Sequence, residues 1–136
     1  MLIVDTGPFV AIADATDPDH AACRDLLETA EWPLVTTALV VTEAGWLIRR
    51  QLGIAAETRL YADIAAGDVQ VEGLTIADWE RVIDLLTEYA DARLDAADAS
   101  VIAVAERLNQ TRIATLDGRD FRVVRPRHVE AFDLLP

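Results

Sequence analysis

A single α/β domain over residues 1–136, with a central parallel sheet of four to five short strands flanked by helices, is the fold this sequence predicts. Three observations carry the prediction. Short apolar runs alternate with longer stretches of helical period along the whole chain. Cap and glycine signals mark the joints between them, and no repeat, low-complexity tract or linker interrupts the order. With 136 residues, 52% of them hydrophobic, the chain can fill one core of ordinary size.

Leu2-Ile3-Val4 reads as the first strand and Pro8 to Ala13 as a short helix. Asp17-Pro18 opens a stronger helix running to about Ala30, with Asp17 as N-cap and Pro18 in the first helical position. Pro33-Leu34-Val35-Thr36 is a short strand. Thr37 to Leu52 is a helix stopped by Gly53, expected to be largely buried because Leu39, Val40, Val41, Trp46, Leu47 and Ile48 cover most of its circumference. Ala55 to Ala66 is a further helix ended by Gly67, and Val69-Gln70-Val71-Glu72 alternates as a strand. Between the cap Thr75 and Tyr89, the residues Ile76, Trp79, Val82, Ile83 and Leu86 recur at helical spacing. Ala96 to Leu108 is a strongly apolar helix, followed by a strand to Thr115 and a last extended piece at Phe121 to Val124. The tryptophans Trp32, Trp46 and Trp79 read as core, His20 and His128 as surface residues.

The net charge of −12 argues against a general nucleic-acid binder, whose affinity for phosphates comes from basic side chains. The charge is uneven, however. Residues 54–98 hold eleven acids and three arginines, whereas residues 112–128 hold five arginines and two acids, so an anionic substrate can still be handled locally. All twelve basic residues are arginine. Without lysine, Schiff-base chemistry, a phosphate-binding P-loop and lysine-assisted aspartyl-phosphate sites are excluded. The single Cys23 excludes an internal disulfide, suits a reducing cytoplasm, and reads as a small buried residue on a helix. No signal peptide and no membrane span is expected.

Four acids stand where chemistry is expected: Asp5, Glu43, Asp98 and Asp117. Asp5 ends the first apolar run and Asp117 follows Arg112-Ile113-Ala114-Thr115-Leu116, so both are carboxylates at strand exits. In an open α/β sheet the crevice outside the strand ends is where ligands bind. Glu43 is the only charge from Ala38 through Ile48. Asp95 and Asp98, three apart, are a cap and its partner, with Asp98 the better candidate for the cleft. Each acid also has a bland role open to it: Asp5 as a cap, Asp117 and Asp120 as turn residues around Gly118-Arg119. If the four converge, all-oxygen ligation points to Mg²⁺ or Mn²⁺. Two distant histidines and one cysteine make zinc a poor fit.

These pieces together carry a resemblance. Leu2-Ile3-Val4-Asp5-Thr6-Gly7-Pro8, Thr42-Glu43, Ala97-Asp98-Ala99-Ser100-Val101-Ile102-Ala103-Val104-Ala105 and Ala114-Thr115-Leu116-Asp117-Gly118-Arg119-Asp120-Phe121 resemble a PIN-domain nuclease of the VapC toxin type, over essentially the whole chain. The resemblance implies a Mg²⁺-dependent endoribonuclease of a type II toxin–antitoxin system, with Mn²⁺ as a substitute, that hydrolyses RNA with metal-activated water. It implies Asp5 and Asp98 as the surest metal ligands, with Glu43 and Asp117 completing the site directly or through water. Thr6 and Thr115 match small polar positions that orient a carboxylate or water, Asp95 is an outer residue, and Asp120 is able to stand in for Asp117. A homodimer and a VapB-like antitoxin, whose tail enters the acidic cleft, are the implied partners.

Other readings are weaker. Asp5-Thr6-Gly7 also occurs in retroviral-type aspartic proteases, but that fold is mostly β. Receiver domains and haloacid-dehalogenase-like phosphatases share an aspartate after the first strand but rely on a lysine, which is absent. A non-catalytic binding module and a DNA-directed nuclease of the same fold remain the alternatives.

Overall fold

Leu2, Ile3 and Val4 have no polar face to turn toward water, and a strand apolar on both faces belongs in the middle of a parallel sheet. That is where they lie in the computed structural model, which describes residues 1–136. In chain order the elements are β1 (Leu2–Val4), α1 (Thr6–Ala13), α2 (His20–Thr29), β2 (Leu34–Thr37), α3 (Ala38–Leu52), α4 (Ile54–Ala66), β3 (Gln70–Glu72), α5 (Ile76–Glu88), α6 (Ala96–Arg107), β4 (Arg112–Ala114), α7 (Gly118–Val123) and β5 (Asp133–Leu135). The five strands are all parallel, in the order β3-β2-β1-β4-β5.

This order has one reversal. From β1 the chain moves outward through β2 to β3, then crosses back over the sheet on α5 and α6 to place β4 on the other side of β1. The switch point therefore falls between β1 and β4, paired as Ile3 with Ile113 and Val4 with Ala114. A crevice opens there, because the connections leaving the two strands diverge. The Asp5 amide donates to Ala114 O at 2.9 Å, so the residue leaving β1 is fixed against the end of β4.

Helix α6 is the buried crossover. Every residue from Ala97 to Ala105 is buried, and the alternation of Ala and Ser with Val and Ile lets the helix lie close to the sheet. Thr37 ties three elements together. Its hydroxyl caps α3 by accepting from Val40 N at 3.3 Å and lies 2.7 Å from Ser100 Oγ of α6. Ser100 spends its proton on Ala97 O, so Thr37 is the donor between the two hydroxyls. Thr37→Val is expected to cost about 1–2 kcal/mol, through the lost cap and the lost buried hydrogen bond, measured by urea unfolding. No change in midpoint would remove this junction as a determinant of the α3–α6 geometry.

Several sequence expectations need correction. The extended piece at Phe121 to Val124 is instead mostly helix α7, with Phe121 and Val124 buried one turn apart. The fifth strand comes later, at Asp133–Leu135, and pairs with β4. Asp17 does not cap a helix that starts at Pro18: its Oδ1 accepts from the Asp19 amide at 2.8 Å in a turn, and α2 begins at His20. Helix α3 is less buried than expected, with Val40, Ala44, Gly45 and Ile48 forming its inward stripe while Leu39, Val41 and Leu47 are half-buried. None of the three tryptophans is core: Trp32, Trp46 and Trp79 are 64, 57 and 47% exposed. The histidines are not free surface residues either, since His20 Nδ1 and His128 Nε2 bond the carbonyls of Ala11 and Gln110 and both rings are half-buried. Cys23 is buried in α2 as expected. No helix is long and apolar enough to cross a membrane.

Candidate active site

Asp5 is placed by the end of β1 and sits almost wholly buried. Its Oδ2 accepts the Thr115 hydroxyl at 2.8 Å, and Thr115 follows directly from β4. Its Oδ1 is buried with no hydrogen-bond partner. A carboxylate oxygen without a donor in a dry position is costly, a cost that a proton or a bound cation would remove.

Glu43 reaches the same place from α3. It is half-buried and accepts the Thr6 hydroxyl at 3.1 Å, so the residue that follows Asp5 also orients the second acid. Asp95 and Asp98 start α6 as a capping box: Asp95 Oδ1 accepts from the Asp98 amide at 2.9 Å, and Asp98 Oδ2 accepts from the Asp95 amide at 3.1 Å. The sequence presents cap and cleft as separate roles, whereas Asp98 fills both, one oxygen on the cap and the other free. Asp117 precedes α7, its amide held by Thr115 Oγ1 at 3.1 Å and its side chain exposed. One turn on, Asp120 is buried.

All these acids line one cavity of about 340 Å³ at the switch point. Its walls are Asp5, Thr6, Gly7, Glu43, Arg93, Asp95, Asp98, Asp117 and Asp120, with no hydrophobic residue among them. Thr115 stands behind Asp5 rather than in the wall. No three of the carboxylates are close enough together to form a ready-made protein shell around an ion. The set suits a cation that keeps much of its water and takes a few carboxylate oxygens, as Mg²⁺ and Mn²⁺ do. A second groove, about 280 Å³ between α1 and α4, is mostly apolar and carries only Arg59 and Asp63 as charges, so it lacks the groups for phosphate chemistry.

The PIN domain model matches residues 2–125. The chain belongs to the PIN-domain family. This PIN domain is also 32% identical over 135 residues to Ribonuclease VapC26 of Mycobacterium tuberculosis, covering 99% of this chain and all of that protein, which makes it a PIN domain of the VapC type. Its backbone superposes on Mycobacterium tuberculosis VapC20, a sarcin-ricin loop cleaving toxin, with a TM-score of 0.85 at 24% identity, over 96% of this chain and 99% of that one. That likeness shows the fold.

The electrostatics of the PIN pocket follow from crowding. Burial pushes the Asp5 carboxyl up to about 6, against the pull of the Thr6 amide and Thr115 hydroxyl, with Glu43 and Asp95 adding repulsion. Asp98 is pushed up to about 8, chiefly by burial, opposed by the Asp95 amide and reinforced by the charges of Asp5 and Asp95. Glu43 is raised by burial and by Asp95, and Asp120 by burial and by Asp117. Crowding and burial thus disfavour the anionic forms of these carboxylates, and a bound cation would relieve that cost.

Sequence reasoning missed Arg93 and Gly7. Arg93 stands in the connection between α5 and α6 and is the only basic residue in the wall. Its signal was faint: a lone cation two residues before the cap Asp95, in the most acidic part of the chain.

Proposed function

We propose that this chain is a Mg²⁺-dependent endoribonuclease, the toxin of a type II toxin–antitoxin pair, with Mn²⁺ able to substitute. The observation that carries the reading is the buried, partnerless Oδ1 of Asp5 in a cavity walled by five further acids at the sheet's switch point. Kinship along its whole length with Ribonuclease VapC26 supports RNA as the substrate.

In this reading Asp5 and Asp98 hold the ion, each through the oxygen its neighbours leave free. Glu43 and one of Asp117 and Asp120 complete the site directly or through water. When bound, Mg²⁺ supplies a nucleophile at neutral pH and charge stabilisation at the phosphorus. The chain does the positioning. Thr115 fixes Asp5, Thr6 fixes Glu43, and the capping box fixes Asp98, so three carboxylates stand ready without further ordering. Binding of a cation would favour the ionised form of Asp98, whose carboxyl is raised to about 8.

The partners belong to the same proposal. The acidic pocket complements a basic tail of a VapB-like antitoxin. Ile76, Trp79 and Ile83, on one outer face of α5 and 81, 47 and 63% exposed, form the apolar stripe that a second copy would bury in a homodimer.

The test is cleavage of a panel of single-stranded and stem-loop RNAs by the purified chain, free of antitoxin, with single-stranded DNA as a parallel arm. We expect RNA cleavage with Mg²⁺ or Mn²⁺ and none in EDTA. Cleavage that persists in EDTA, or no cleavage of any RNA with either ion, overturns the reading. Cleavage confined to DNA replaces it with the DNA-directed alternative.

A further inference from the structure

A pocket of six carboxylates is a poor place for a phosphodiester, even with a divalent ion present. The RNA backbone needs further positive charge close by, and in this chain only arginine supplies it. Most of the arginines are engaged. Arg24, Arg49, Arg81, Arg107, Arg112 and Arg127 each lie within 4 Å of a carboxylate. Arg50 lies over the Trp46 ring, and Arg59 lines the groove between α1 and α4.

Of the remaining four, Arg93 lines the pocket and Arg122 packs at the start of α7. Arg93 is exposed, lines the pocket, and makes no hydrogen bond or ion pair within the chain. Arg122 is exposed on α7, and its guanidinium lies against Gly118, where a Cβ would come within 3.3 Å of its Cζ. Gly118 directly follows Asp117, so this second cation lies against the start of α7, next along the chain to Asp117 and outside the pocket wall itself. The opposite side is different. Past Glu43 and Asp95 the surface continues into an apolar groove of Ala38, Leu39, Trp46 and Ala97, with no basic residue in its lining. Arg50 is held over the Trp46 ring on that side, whereas Arg93 stands without an internal partner in the pocket wall.

We propose that Arg93 and Arg122 form a phosphate-binding rim, Arg93 contacting the scissile phosphodiester and Arg122 an adjacent one, which lays the RNA backbone over the α7 side of the pocket. The planar guanidinium is suited to this, giving paired hydrogen bonds to phosphate oxygens. Arg93 already stands in the pocket wall with the six acids. Free guanidinium groups also cost little to recruit, because no internal ion pair has to break.

The inference rests on the ribonuclease reading, and the experiment keeps the two apart. Wild type, Arg93→Ala, Arg122→Ala and Arg93→Lys are compared on an RNA that the wild type cleaves, measuring kcat/KM against salt, the Mg²⁺ concentration for half-maximal rate and the melting temperature. Each alanine variant should lose roughly 10- to 100-fold in kcat/KM. The slope of log kcat/KM against log salt should become shallower by about 0.7 for each contact removed from a single strand. Arg93→Lys should recover part of the loss, and melting should be unchanged at these exposed positions. Unchanged kcat/KM and salt slope in both alanine variants overturns the rim while leaving the nuclease standing. So does Arg93→Ala with a higher rate and tighter Mg²⁺ dependence, which would make Arg93 an internal counter-ion. A wild type that cleaves no RNA removes the function itself.

Discussion

Asp98→Asn and Asp5→Asn should each slow RNA cleavage by on the order of 10³-fold or more, while the metal-free Asp98→Asn protein melts at a higher temperature than the wild type. Both substitutions keep the shape of the side chain and remove its charge. Asparagine at position 98 retains an oxygen for the Asp95 amide, so the capping box survives. What is lost is the anion in a crowded site. The carboxyl of Asp98 is raised to about 8 and that of Asp5 to about 6, both above the ordinary value of 3.8. The sign follows from that shift. Between about pH 4 and pH 8 the native state binds protons that the unfolded chain has released, so metal-free stability falls as pH rises through this window.

Asp98→Asn removes the larger part of that slope. Its gain at pH 8 should be on the order of 1–3 kcal/mol, after discounting for the coupling among these acids. Thermal melts of both proteins from pH 5 to 8, with and without Mg²⁺, measure it. Mg²⁺ should raise the melting temperature of the wild type, most at high pH, and leave that of the variant nearly unmoved. Cleavage at the wild-type rate by either variant, or a less stable Asp98→Asn at pH 8, would sink the assignment of these carboxylates as cation ligands.

The parts of the site legible in the sequence are those that backbone topology alone decides. Asp5 and Asp117 follow apolar runs, and a parallel sheet sends the exits of neighbouring strands to one edge. Nothing more is needed to bring them together. Asp98 was visible as a charge at the mouth of a helix otherwise free of charge from Ala99 to Ala105, which only a central crossover can afford. Pairings that depend on three-dimensional approach were not visible. Thr115 with Asp5 spans 110 positions and Thr6 with Glu43 spans 37, and no spacing rule links either pair.

The fold shows the same division. Elements with a full turn pattern and caps agree with the sequence to within a residue or two, whereas the six residues of α7 are too few for a helical period to declare itself. Strand β5 exists because β4 has a free edge to pair with, a tertiary cause. The tryptophans failed for another reason. Hydrophobicity marks a residue as suited to burial without saying whether the burying surface is its own chain, and Trp46 and Trp79 lie on helix faces that this chain leaves open.

Arg81→Ala should destabilise the fold by about 3–5 kcal/mol, lowering the melting temperature by roughly 10 °C or more, although Arg81 touches no pocket residue. Arg81 on α5 and Glu106 on α6 are both nearly inaccessible, with side chains 7 and 8% exposed. Their contact is two-pronged, Nε to Oε2 at 2.8 Å and Nη2 to Oε1 at 2.9 Å, and Glu106 Oε1 also accepts the Arg127 amide at 3.0 Å. Truncating the arginine leaves a carboxylate in the interior with one backbone donor. That uncompensated charge, rather than the lost attraction, is the larger cost.

The pair matters to the site because of where it sits. Helix α6 begins at Asp98's end of the pocket, and near its other end Arg81–Glu106, with Arg107 to Asp78 at 3.0 Å, clamps it to α5. Arg81→Met with Glu106→Leu should recover most of the stability, since two apolar side chains of similar size need no partners. Cleavage by this double variant at 25 °C should stay near the wild-type rate, because the capping box and not the clamp orients Asp98. Chemical unfolding of the single and double variants decides the matter. A single variant within about 1 kcal/mol of wild type would mean that water or Arg127 already satisfies Glu106, and that the α5–α6 clamp is not what holds the crossover in place.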